Sequence, residues 1–571
     1  MLVLSSLVFV GSELLPGDAA TALLGRSATP AAVAELRQRL GLDQPLPIRY
    51  LSWLNAFVHG DLGTSLLNGR SVAASIAARL GNTLFLAGTA AFMAVPLAVL
   101  LGLLAARYRG SIIDRTISLL TRAFVALPEF FIGYLLIYVL SISLGWFASS
   151  STVFANMSLG NRIAAITLPS LTLVLVVTGH IAAMVRASVL DVLEKPFIEM
   201  AVLKGVPHGT VVWRHALPNA LSPIINVVLV NLAYLVAGVV VVEVIFVYPG
   251  MGQFMVDSVV NRDVPVVQAT ALFVRQCLYR AQSLRGCPLR ARQSPSGVSI
   301  VSAVKLPLSV ILSLLTIGVC LLVTLTAPFI APHGVNEIVG PGWEPPSASH
   351  LFGTDMIGRD LLSRFIWGAR VTVLTAAAAV LIAFVAGTGF GLLAGMRKGW
   401  LDMVLSRFVD LVMAMPTLIL AMVLLTILPR SVFFIVAIIA LVEATRFFRL
   451  ARLIAADTAA LDYVEAAYLR GEKTSWIILR EILPNGMAPL LAELGLRFVF
   501  SVLFLSTLSF LGLGVQPPVT DWGSLIKENK DGLLFGVTAA LVPGAAIAVL
   551  AITVSSVVDW VSAGRDGGPK R

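Results

Sequence analysis

The chain has 571 residues, 58% of them hydrophobic and 13% charged, with a mean hydropathy of +0.91. A soluble fold would carry close to a quarter charged residues and is excluded, and the apolar runs are continuous rather than alternating, which excludes a β-barrel. The net charge of +10 fits Lys and Arg gathered in cytoplasmic loops, and no basic soluble domain offers a nucleic-acid surface.

Runs able to cross a ~30 Å hydrocarbon core occur at residues 83–106, 116–144, 167–188, 222–247, 307–331, 371–395, 404–428, 432–453, 488–513 and 536–558. The expected fold is all-α, a polytopic transmembrane helical bundle. Pro128 and Pro416 fall inside two runs and are expected to kink them, because proline removes a backbone donor. Loops 105–114 and 396–402 are basic and therefore cytoplasmic. The charged stretches 189–221 and 454–487 lie two spans further on and share that side, as does the basic C-terminal tail. Loop 332–368, with Glu337, Glu344, Asp355 and Asp360, is then external.

Two places interrupt the pattern. About fifteen residues precede Pro16, roughly 22 Å of helix and short of a full span. No basic flank or cleavage site marks a signal peptide, so the reading is a truncated first helix or a start placed too late. After Phe273 an apolar beginning, "VPVVQATALFV", meets Arg275, Arg280, Arg285, Arg290 and Arg292. An Arg at a helix centre costs about 2.5–3.5 kcal/mol on insertion scales, so the span is expected to stop there. That leaves residues 1–273 and 305–571 as two units around an anomalous junction, 274–304. Without a sixth helix both basic ends cannot be cytoplasmic, which favours a frameshift joining two neighbouring genes over a natural linker.

Nothing in the chain suggests bond chemistry. Cys277, Cys287 and Cys320 form no metal or disulfide framework, and His59, His180, His208, His215, His333 and His350 are scattered. No GxxxxGK[ST] loop is present; "RGEKTS" at 470–475 lacks the Gly before Lys473.

The chain does repeat itself. Glu199, Ala201, Gly205, Pro218, Asn219 and Pro223 each match a residue 266 positions later: Glu465, Ala467, Gly471, Pro484, Asn485 and Pro489. Arg186 and Arg452 keep that offset, and upstream Asp114 and Pro128 match Asp402 and Pro416 at an offset of 288. Each repeated loop reads as helix, turn, helix. Ala and Leu favour the first helix, Gly205 and Gly471 can stop it with φ > 0, and Pro218 and Pro484 are expected to end the second helix before the chain re-enters the membrane. Among ionisable residues in or beside apolar runs (Glu129, His180, Glu243, Glu443, Arg446, Glu493), the candidates for a transport pathway are Glu129, His180 and Glu243.

These loops resemble the EAA coupling loops of ATP-binding-cassette importer permeases. Glu199, Ala201 and Gly205, with Leu217 and Pro218, match in the first copy; Glu465, Ala466, Ala467 and Gly471, with Leu483 and Pro484, match in the second. The first copy has Met200 where the motif has Ala. Stretches 14–25, 40–54, 60–72 and 247–269 are similar to the B-type subunit of dipeptide, oligopeptide and nickel permeases, and 351–373 and 508–526 to the C-type subunit. The resemblance implies two permease units of five to six spans each, a bacterial cytoplasmic (inner) membrane location, and a lipid environment. It also implies cytoplasmic ATPase subunits docking on the two loops and an extracytoplasmic binding protein delivering cargo. ATP would be used by the partner subunits, with no cofactor held by this chain. Peptides are the implied cargo, with nickel or glutathione as alternatives. The rival readings are an ion-coupled secondary transporter, whose intramembrane charges would carry the coupling, and a non-functional fusion product.

Overall fold

The computed structural model describes Ser6, Phe9, residues 29–39, residues 43–283 except 155, and residues 307–563 except 398 and 536. Residues 29–283 form one compact unit and residues 307–563 another, called here the N-terminal and C-terminal units. The regular secondary structure of the described residues is helical, with only three isolated β-bridges.

The N-terminal unit begins with α1 (Pro30–Arg39) and α2 (Leu46–Val58). The long α3 (Val72–Arg107) follows, then α4 (Ile112–Ala126), α5 (Glu129–Leu136) and α6 (Leu159–Leu193). The short α7 (Pro196–Leu203) precedes α8 (Leu217–Ile245), α9 (Met251–Val260) and α10 (Val264–Ser283). The C-terminal unit contains α11 (Leu308–Ile330), α12 (Leu361–Met396), α13 (Trp400–Met413) and α14 (Thr417–Ile427). It continues with α15 (Val432–Thr458), the short α16 (Asp462–Leu469), α17 (Leu483–Phe510), α18 (Trp522–Asn529) and α19 (Leu541–Ala563).

Nine of the ten apolar runs lie in helices long and apolar enough to cross a membrane, two of them as bent pairs. The tenth, 432–453, is α15, which carries Glu443, Arg446, Arg449 and Arg452 along its length. The expected kinks are full breaks. The chain turns by 105° between α4 and α5 and by 92° between α13 and α14, with Pro128 and Pro416 standing directly before the second helix of each pair. Leu127, before Pro128, is extended (ψ 132°), as the proline ring requires of its predecessor.

Each unit is built around one long helix pair, α3 with α6 and α12 with α15. Small residues every fourth position let the backbones meet. Ala98, Gly102 and Ala106 are buried on α3, and Gly387, Gly391 and Gly395 occupy the equivalent stripe of α12. A Cβ on Gly102 would sit 2.8 Å from the Ala182 carbonyl oxygen, and one on Gly391 2.6 Å from that of Phe448. Where lipid tails are as apolar as the side chains, close packing of this kind drives helix association.

Helix α10 does not stop at the arginines; it runs through Arg275 and Arg280 to Ser283, although its apolar stretch ends at Val274. Arginine is a good helix former, and it opposes immersion in lipid rather than helical hydrogen bonding. The shortened first helix, and the Arg-rich tract from 284 with the frameshift it suggested, lie outside the described residues.

Candidate coupling surface

The two repeated loops fold alike. α7 and α16 are each eight residues long and occupy the same register, 266 positions apart. Each ends on a glycine in the left-handed region, Gly205 at φ +77° and Gly471 at φ +80°. Gly205 N–H donates to the Val202 carbonyl (2.9 Å) and Val206 N–H to that of Ala201 (3.2 Å); Gly471 N–H and Glu472 N–H do the same to Tyr468 (2.9 Å) and Ala467 (3.2 Å). This is the paired cap that closes a helix when the next residue takes φ > 0. A Cβ at either glycine would meet nothing within 4 Å, so the backbone angle alone calls for glycine.

Each short helix has one buried face and one free face. Ile198 and Ala201 are buried in α7, and Val464 and Ala467, at the same register, in α16. Val464 and Ala467 belong to a core with Leu392 of α12, Ala451 and Ala455 of α15, Ile482, and Leu490 of α17. The knob is thus rooted in the helices that enter the membrane. Glu199 and Met200 are exposed on one knob and Glu465 and Ala466 on the other; Leu203 (74%) and Leu469 (84%) are the most exposed apolar side chains of the two.

The prolines are placed differently from expectation. Pro218 and Pro484 do not end a helix; each is the second residue of the long membrane helix, α8 or α17. The turn before each helix is widened to π geometry, Val211–Ala216 and Ile478–Ile482. A proline ring clashes with the carbonyl four residues back in an α-helix, and the wider turn gives it room. The next residue repairs the loosened ladder. Asn219 Nδ2 donates to the His215 carbonyl at 2.7 Å, and Asn485 Nδ2 to that of Glu481 at 2.6 Å. Leu217 and Leu483, at the first position of these helices, are half-buried.

A second matched contact joins two helices in each unit. Arg186 of α6 donates two bonds to Asp114 of α4 (2.7 and 2.9 Å), and Arg452 of α15 two to Asp402 of α13 (2.5 and 2.8 Å). Such fork-to-fork pairs are among the stronger protein hydrogen bonds.

Comparison with known proteins agrees with this duplication. A family model described as the inner membrane component of binding-protein-dependent transport systems matches residues 98–333 and again 387–566, and a model for the N-terminal region of such components matches residues 1–87. The chain belongs to this family. It is a multi-pass inner-membrane permease of an ATP-binding-cassette importer, with the permease domain present twice. It is similar to proteins named as peptide transport system permeases in Brucella abortus (37% identity over 48% of this chain and 87% of the relative) and Sinorhizobium fredii (33% over 47% and 85%). A glutathione transport system permease of Pectobacterium atrosepticum is 38% identical over 48% of this chain and 86% of its own length. Each relative spans a little under half of this permease.

The three pathway candidates fall on separate helices of the permease. Glu129 opens α5 directly after Pro128 and is half-buried. His180 is exposed midway along α6, with Nδ1 3.3 Å from the Val176 carbonyl oxygen. Glu243 is fully buried at the end of α8, accepting from Thr83 Oγ1 (2.6 Å), Gly252 N–H (2.7 Å) and Gln253 N–H (3.1 Å). Those bonds make it the cap of α9. Sequence reasoning passed over Arg497, which bridges Glu443 and Glu493 in the C-terminal unit. The signal was present as an arginine inside the apolar run 488–513.

Proposed function

We propose that the permease imports di- or oligopeptides, and that α7 and α16 are the surfaces on which separate cytoplasmic ATPase subunits act. The observation that carries this reading is the shared build of the two knobs: a capped helix with an acidic, apolar free face, its other face packed into the membrane helices. A force on such a knob is passed to α12, α15 and α17 rather than absorbed by a slack loop, because packed interiors shift as units. Glu199 and Glu465 are free to pair with a partner's basic groups. ATP would be bound and cleaved on the partner subunits. An external binding protein would deliver cargo to residues 16–82 and 332–368. Peptide cargo is supported by the names of the relatives, glutathione being itself a tripeptide. The test is uptake of a labelled tripeptide into proteoliposomes holding the permease, its ATPase subunits and its binding protein. Uptake should require ATP and be stopped by vanadate; uptake insensitive to vanadate and abolished by ionophores would overturn the reading.

A further inference from the structure

Helix α3 is longer than a membrane requires. Its 36 residues measure about 54 Å, against a hydrocarbon core of ~30 Å. Its C-terminal end leads into the basic, cytoplasmic loop 105–114, and its apolar run begins only at residue 83. Residues 72–82 therefore stand on the external side, before the apolar run. There the N-terminal unit holds an open groove of about 460 Å³, with Asn68, Arg70, Ser75, Ala78, Arg79 and Phe254 of α9 in its walls. Arg70 lies in the loop at the rim. Arg79 lies seven residues beyond Val72, about 10 Å along the helix.

Both guanidinium groups are open to a ligand. That of Arg79 lies 4.5 Å from the ring centroid of buried Phe254, a contact that fixes its direction without consuming a hydrogen bond. Neither Arg70 nor Arg79 forms a side-chain ion pair or hydrogen bond among the described residues. Two acids act on Arg79 through their charge, Glu243 and Asp257. Glu243 is already engaged by Thr83 and the start of α9, and Asp257 is exposed, one turn beyond Phe254. Asn68 Oδ1 accepts from the Arg70 N–H (3.0 Å), which leaves its amide nitrogen as a donor. The fold does not require this groove. The stripe residues Ala98, Gly102 and Ala106 match Gly387, Gly391 and Gly395 at an offset of 289, which matches Arg79 to Gly368. A Cβ on Gly368 would meet Leu525 Cδ1 and Trp522 Cδ1 at 3.2 Å, so the same place in the C-terminal unit is packed shut.

We propose that this external groove is a binding site for a peptide's C-terminal carboxylate, taken by Arg79, with Arg70 attracting it at the rim and the Asn68 amide donating to the peptide chain. A guanidinium presents paired N–H donors that match a carboxylate. One already held against an aromatic ring loses less freedom on binding. Two cations without a bonded acid raise the local concentration of anions. A carboxylate could also come from an acidic side chain of the binding protein, and the size of the recess favours the small ligand. Its volume lies within the range of small-molecule pockets, about 300–1,000 Å³, whereas a protein partner covers about 800 Å² of surface. The inference rests on the peptide-import reading, since peptide cargo supplies the carboxylate.

The experiment uses the complete complex in proteoliposomes. Two labelled tripeptides are compared, one with a free C-terminal carboxylate and one capped as the amide, each at a concentration that saturates the binding protein. Capture of labelled binding protein by the permease is measured in parallel. Wild type should favour the free acid. Arg79→Gln should lower free-acid uptake about tenfold, the scale of one charge-assisted hydrogen bond, and bring the two cargoes level, while Arg79→Lys keeps part of the preference. Arg70→Gln, at the exposed rim, should lower free-acid uptake about twofold, the scale of a surface ion pair. Capture of the binding protein should not change. Equal loss for both cargoes, or no loss, overturns the proposal; equal loss with weakened capture assigns the arginines to an acid of the binding protein instead. Should Arg79→Gln fail to assemble, Arg70→Gln decides, and the absence of a selective free-acid loss there overturns the proposal. A wild type that imports both tripeptides equally overturns this inference and leaves the peptide reading standing. A wild type that imports neither overturns both, and is seen before any variant is measured.

Discussion

Asp114 grips Arg186 in the N-terminal unit as Asp402 grips Arg452 in the C-terminal one, and α7 ends in the same two capping bonds as α16. Halfway along α6 and α15 the correspondence stops: Val177 and His180 stand where the other unit has Glu443 and Arg446. The caps that close the knob helices, and the ion pairs that join α4 to α6 and α13 to α15, are duplicated. Midway along α6 and α15 no such pair is shared, and there the units have diverged. The glycine stripe teaches the same lesson. Ala98 and Ala106 on α3 stand where α12 has Gly387 and Gly395, a change of one methyl at positions where only small residues fit.

The largest expected break of this symmetry is a bulky residue under a knob. Ala467 is fully buried and Ala201 slightly less so (9% exposed). Overpacking a tight core costs about 1–3 kcal/mol, so Ala467→Leu should abolish cargo-stimulated ATP hydrolysis, with Ala201→Leu reducing it less. Hydrolysis assays on the reconstituted complex decide this; equal effects would mean that the two knobs are equally rooted.

The next effect reverses the order. Asp114 is more buried than Asp402 (7% against 19% exposed). Removing a charged hydrogen-bond partner costs about 1.5–3 kcal/mol where the remaining charge is shielded from water. Asp114→Asn should therefore lower the detergent-solubilised melting temperature more than Asp402→Asn. A double-mutant cycle with Arg186→Gln should recover most of the Asp114 loss as coupling energy.

Smaller, and equal in the two units, is the cost of removing a cap. Gly205→Ala and Gly471→Ala meet open space but force a left-handed backbone, worth about 1–2 kcal/mol. Matching shifts in thermal unfolding are expected, and a difference above the error would show that one loop relaxes.

The smallest effect on stability belongs to the exposed carboxylates. Glu199→Gln and Glu465→Gln should leave unfolding within about 0.5 kcal/mol of wild type, because both side chains are exposed. Their effect is expected instead in affinity for the ATPase subunits, read by pull-down at two salt concentrations.

The sequence by itself determined the class, the duplication and the knobs. Lipid admits only helices at this length and hydropathy, and a repeat offset of 266 needs no coordinates to be seen. The stop at Gly205 and Gly471 was legible because one residue type alone takes that backbone angle cheaply. The tertiary structure decided who meets whom. Asp114 and Arg186 were both visible as landmarks of the repeat, yet their pairing depends on α4 crossing α6, and 72 residues separate them in the chain. Pro218 and Pro484 looked like helix ends because sequence rules describe α-helices, and the widened π turn that admits them follows from the packing of the turn around them. Glu243 was visible as a charge in an apolar run, but its bonds to Thr83 and the start of α9 come from the fold. Local propensity acts over a few residues and survives in the sequence, whereas burial and partnership are set by contacts between distant segments, which only the folded chain brings together.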